Sequence, residues 1–65
     1  MRNQEVKIIL QRDDDVALIA WQHISGGIEF VTTSSYRDDG TWNRGNYFGN
    51  DLQTALNDYK RRIVA

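Results

Sequence analysis

Six consecutive apolar residues, Val16-Ala17-Leu18-Ile19-Ala20-Trp21, limit most strongly what this chain can fold into. A membrane-spanning helix needs roughly 20 such residues, so the run reads instead as part of a strand over residues 16–24. Successive strand side chains point to opposite faces, and this strand is therefore apolar on both. An antiparallel sheet ordinarily leaves one face polar and wet. A sheet built around this strand needs cover on both sides.

The flanking segments supply that sheet. Residues 5–12 alternate, with Val6, Ile8 and Leu10 on one side and Lys7, Ile9 and Gln11 on the other. Asp13-Asp14-Asp15 is a turn, because three adjacent carboxylates resist burial and Asp side chains bond their own backbone. Ser25-Gly26-Gly27 offers the positive φ that a tight hairpin needs. It leads to a third strand over residues 28–36 that becomes polar along Thr32-Thr33-Ser34-Ser35. After the turn Arg37-Asp38-Asp39-Gly40, residues 41–48 read as a fourth strand on Trp42, Tyr47 and Phe48, against the weakening effect of Asn43, Gly45 and Asn46.

A helix is predicted over residues 51–63. Asn50 is the N-cap, Gln53 stands three residues on as in a capping box, and Asp51 complements the helix dipole. Leu52, Ala55, Leu56, Tyr59 and Ile63 form one apolar stripe at helical spacing. The predicted fold is α+β: a curved four-stranded antiparallel sheet followed by one C-terminal helix (ββββα), in a single small domain over residues 1–65.

A chain of this length buries only about 60% of its unfolded surface. It has no cysteine, so neither a disulfide nor a thiolate metal site adds to its stability. Self-association into a homodimer is the expected remedy, and the missing cysteines suit a reducing cytoplasm. Met1-Arg2-Asn3-Gln4-Glu5 is followed by no apolar stretch of the kind a signal peptide carries.

Closing the three turns as simple hairpins puts Leu10 opposite Leu18, Ile8 opposite Ala20, Trp21 opposite Val31 and Thr33 opposite Arg44. A slip of one residue exchanges the faces. In this register the helix covers Val6, Ile8, Leu10, Leu18, Phe30 and Tyr47. The other face carries Lys7, Ile19, Trp21, His23, Val31, Trp42, Arg44 and Asn46. Two tryptophans beside cations admit three covers: a second copy of the chain, a single-stranded nucleic acid, or the protein's own core. In the second, bases stack on Trp21 and Trp42 while Lys7 and Arg44 meet phosphates.

Charge and chemistry narrow the function classes. Eight Lys and Arg against nine Asp and Glu give a net charge of −1, which counts against a purely electrostatic nucleic-acid binder. The acids, however, gather in turns, while Lys60-Arg61-Arg62 closes the helix, where interaction with the negative end of the dipole is the first reading and a phosphate contact the second. His23 is the sole histidine and, without cysteine, builds no usual zinc site; it reads as a partly exposed strand residue. The Asp turns lack the EF-hand spacing and read as solvated. Ser34-Ser35 has no base placed beside it, and Gly45 and Gly49 make no phosphate-binding loop. No catalytic residue, metal, cofactor or membrane contact is expected, and the reading points away from an enzyme.

The stretch Arg44-Gly45-Asn46-Tyr47-Phe48, with Gly49-Asn50-Asp51 opening the helix, resembles the strand-to-helix join of the Positive Cofactor Four family of single-stranded DNA-binding domains. Tyr36-Arg37-Asp38-Asp39-Gly40-Thr41-Trp42 is similar to the aromatic and basic hairpin of that family. The resemblance covers the last half of the chain, and the strands here are less basic than is usual there. It implies a homodimer packed through its helices and a concave sheet that receives single-stranded or distorted DNA. On the matching positions it implies Arg37, Trp42 and Arg44 as nucleic-acid contacts; Lys7 and Trp21 join them from the register argument. Small phage proteins that block host defence, anti-CRISPR proteins among them, share this size and β-rich form. An inhibitor acting on a host protein or on DNA is the alternative expectation.

Overall fold

A computed structural model describes residues 4–64; residues 1–3, part of the stretch read above for a leader, and residue 65 lie outside the described residues. Four strands and a helix follow one another: β1 (Val6–Asp13), β2 (Val16–Gln22), β3 (Ile28–Thr33), β4 (Gly45–Tyr47) and α1 (Leu52–Val64). The sheet is antiparallel with its strands in chain order, the ββββα architecture predicted. No helix among the described residues is long and apolar enough to cross a membrane.

β2 takes an inner position, as its two apolar faces require, and Ala17, Leu18 and Ile19 are wholly buried. The β1–β2 hairpin closes through Asp14 and Asp15, with Asp14 at a φ of 56°, a left-handed conformation that Asp tolerates better than most residues. This turn pairs Asp13 with Val16 and Gln11 with Leu18. Continued unbroken, it would turn Lys7 towards the helix. A bulge at Leu10 inserts one residue and restores the alternation. Leu10 therefore has no place opposite Leu18, but Ile8 meets Ala20 as predicted and Lys7 meets Trp21.

The other two registers also differ from expectation. Trp21 lies opposite Glu29, two residues from Val31, and an even shift leaves the faces unchanged. Thr33 lies opposite Gly45 instead of Arg44, and this odd shift moves Tyr47 to the tryptophan face and Asn46 to the helix face. The reason is that β3 stops at Thr33 and β4 starts at Gly45, so no hairpin turn sets their register. Residues 34–44 instead fold back across the sheet and lay Tyr36 and Trp42 on Ala17, Ile19 and Val31. Trp42 is thus a loop residue. A Cβ on Gly45 would come within 3.0 Å of the Thr32 carbonyl, 3.1 Å of Val31 Cγ1 and 3.2 Å of Trp42 Nε1; glycine makes room there for the indole.

The loop is tied down at several points. Tyr36 N–H donates to the Asp15 carbonyl and Arg37 N–H to the Thr41 carbonyl, each at 2.8 Å. Asp39 accepts from the Thr41 hydroxyl at 2.6 Å and from its N–H at 3.0 Å, bonds that hold its carboxyl below the usual range.

α1 packs on β2 and β3 and buries Ala55 and Tyr59 against Leu18, with Val16, Phe30, Phe48 and Leu56 around them. Its N-cap is Asp51, one residue later than expected: Asp51 accepts from Thr54 N–H at 3.1 Å and from the Thr54 hydroxyl at 2.7 Å. Gln53 bonds Asn57 instead of reaching back to the cap. The strand β1 lies beside this packing and is exposed throughout, with Ile8 at 55% and Leu10 at 43%.

Candidate functional site

The face away from the helix is organised by its cross-strand rows. Lys7, Trp21 and Glu29 form one row, and Ile9, Ile19, Val31 and Tyr47 the next. Because the bulge sets Lys7 beside Trp21, its ammonium lies 5.0 Å from the Trp21 ring centre, and 5.3 Å from that of Trp42. The two indoles meet edge to face at 5.8 Å, a favoured aromatic geometry. Trp42 Nε1–H donates to the Tyr47 hydroxyl at 3.1 Å, and Tyr36 stacks on the far side of Trp42 at 6.4 Å. Arg12 repeats the motif two rows along, 4.8 Å over the Tyr36 ring and 2.7 Å from Asp38. Lys7, Trp21, Thr41, Trp42 and Tyr47 line a hollow of about 250 Å³. Trp21 Nε1 is buried and has no hydrogen-bond partner among the described residues.

A larger cleft, about 770 Å³, opens on the other side of Tyr47. Its walls are the stem of the loop, β4 and the last turn of α1, and it is lined by Ser34, Ser35, Asn43, Arg44, Gly45, Asn46, Tyr47 and Arg62. Thr33 Oγ1 gives its hydrogen to the Arg44 carbonyl. In the contact between the two hydroxyls, Ser35 must therefore be the donor to Thr33, at 3.2 Å. Ser35 Oγ in turn accepts from the N–H groups of Asn43 and Arg44 at 3.2 and 3.4 Å. These bonds fix the mouth of the loop.

Arg62 is held from two sides. Its Nε donates to Asp58 Oδ2 at 2.8 Å and its Nη1 to Ser34 Oγ at 2.6 Å. Asp58, 7% exposed, also accepts from Thr32 at 2.5 Å, from Asn46 at 3.5 Å and from Arg61. Burial opposes its ionisation, but the bonds from Arg62, Thr32 and Arg61 prevail and hold its carboxyl far below the usual range.

Of the residues singled out from sequence, the structure brings Lys7, Trp21 and Trp42 together, while Arg44 lines the neighbouring cleft. Arg37 sits apart, exposed at the loop's outer turn and lining neither hollow. His23 lies just beyond β2 and meets Glu29 at 3.0 Å. Sequence reasoning missed Tyr47, which the slipped register had turned towards the helix, and left Arg62 out of the site, reading it with Lys60 and Arg61 first as a partner of the helix dipole and only second as a phosphate contact. Among the described residues, no three His, Asp or Glu side chains gather as metal ligands would. No family model, curated protein or solved structure matches the chain.

Proposed function

We propose that this protein binds single-stranded nucleic acid across the tryptophan face, with a base against Tyr47 and Trp42 and flanking phosphates at Lys7 and Arg44. The observation that carries the reading is the position of Tyr47. Tyr47 is 50% exposed and lines both hollows, with Lys7 in one and Arg44 in the other. An exposed aromatic ring between cations is what a sequence-tolerant single-strand site requires. Trp21 and Trp42 are half-buried and largely support it, so the register argument's stacking platform moves to Tyr47 and the outer edge of Trp42.

Fluorescence anisotropy of a labelled single-stranded oligonucleotide, at low and at moderate salt, tests the proposal. Binding is expected at low salt and weakens as salt rises. Tyr47→Ala is expected to weaken it by about 1–3 kcal/mol, whereas Tyr47→Phe, which keeps the ring, retains most of it. No binding at low salt rejects the reading, and an unchanged Tyr47→Ala removes Tyr47 from it.

A further inference from the structure

We infer that the cleft between the loop stem, β4 and the end of α1 is a phosphate-binding site, built by Arg44, Arg62 and Ser34. Its charge sets it apart from the rest of the chain. Nine acidic residues outnumber eight basic ones overall, yet the cleft is lined by two arginines and, among the described residues, by no carboxylate. Asp58 stands behind it, but that single negative charge is shared between Arg61 and Arg62, which leaves one positive charge over. Arg44 adds another, since its guanidinium has no acidic partner among the described residues.

The donors are also arranged in advance. Asp58 and Ser34 hold Arg62 with two of its three guanidinium nitrogens, so the plane is set before a ligand arrives. Ser34 Oγ spends a lone pair on Arg62 and keeps its own hydrogen to donate. Arg44 is exposed, and its backbone is fixed by the Ser35 and Thr33 hydroxyls. Paired guanidinium groups with a hydroxyl match the several acceptor oxygens of a phosphate, where charge-assisted bonds are the strong ones. The site is read from charge and donors alone. In assigning the phosphate to a nucleic-acid strand, with its base on Tyr47, the inference rests on the proposed function.

Amide spectra of the protein, titrated with inorganic phosphate at constant ionic strength, test the site. Saturable shifts at Ser34, Ser35, Arg44 and Asn46 are expected, and Arg44→Gln, which alters an exposed side chain with no hydrogen-bond or ion-pair partner among the described residues, is expected to weaken binding about tenfold. Shifts that do not saturate, or an Arg44→Gln titration equal to the parent's, overturn the inference. The same variant is then titrated with the labelled oligonucleotide. The expected result is a salt dependence shallower by about 0.7 in slope, the loss of one contact on a single strand. Phosphate binding without oligonucleotide binding keeps the cleft as a site for free phosphate and rejects the strand. Oligonucleotide binding with Arg44→Gln unchanged in both titrations rejects the cleft together with the Arg44 phosphate contact, and leaves of the proposed function a strand held by Tyr47, Trp42 and Lys7.

Discussion

On one side of the sheet Leu18 is covered by a helix of 13 residues; on the other, its neighbour Ile19 is covered by an irregular loop, and the two are exposed by only 1% and 0%. The helix presents Ala55 and Tyr59 at regular spacing. The loop presents Tyr36 and Trp42, six residues apart, by bending around Gly40 at a φ of 86°. Regular backbone bonding is therefore not needed to close a sheet face. Two large aromatic rings serve, provided the loop's polar groups are satisfied by side chains such as Asp39 and Ser35.

The largest test sets those two neighbours against each other. Leu18→Ala and Ile19→Ala are each expected to cost about 3 kcal/mol, measured by denaturant melts. Both tryptophans lie on the loop side, so indole fluorescence reads that side and helical circular dichroism the other. Coincident transitions are expected of a single cooperative unit. A much cheaper Ile19→Ala, or fluorescence that moves first, would show the loop to be the looser cover.

A somewhat smaller effect sharpens the contrast through pH. Asp58→Asn should destabilise by about 2 kcal/mol, because a buried acceptor of several charged donors is weakened. The lowered carboxyl value means that its stabilisation is complete above about pH 4 and is lost as pH falls through the folded-state value. Melts of parent and variant from neutral to strongly acid pH should converge as Asp58 becomes protonated. Parallel curves would mean that the acid sensitivity arises elsewhere, for example at Asp39 in the loop or Asp51 at the cap, both also lowered.

The smallest effect belongs to the loop side. Lys7→Ala removes an ammonium lying over two indoles and is expected to cost about 0.5–1 kcal/mol. Tryptophan emission should change while the helical signal does not. Emission identical to the parent's would place Lys7 out over solvent beside Glu5, with which it also pairs at 3.6 Å.

Much of the helix side was legible in the residues themselves. Of the predicted stripe, Ala55, Leu56 and Tyr59 turn inwards, while Leu52 and Ile63 at its two ends stay exposed. The cap was off by one because Asn50 and Asp51 are both good cap residues, and the choice fell to Gly49, whose positive φ turns the chain after Phe48. The loop side was only half legible. Lys7 and Trp21 were rightly paired because the bulge at Leu10 compensated for a turn one residue shorter than the three acids suggest. Tyr47 was turned the wrong way, since nothing local in residues 34–44 tells a long loop from two strands and a hairpin. The cleft could not be foreseen at all: Ser34 and Arg62 are 28 residues apart and meet only at the end of the helix.

By itself, then, the chain's sequence determined the order of elements, the inner place of β2 and the helix with its apolar stripe. These follow from periodicity and from local backbone preferences, which act within a few residues. Tertiary structure decided which way β4 faces, what covers the second side of the sheet, and that Arg44, Arg62 and Ser34 share one cleft. Those outcomes depend on where Trp42 finds room above Gly45 and on which donors reach Asp58. Both are contacts between distant residues, and their energies exist only once the sheet has formed.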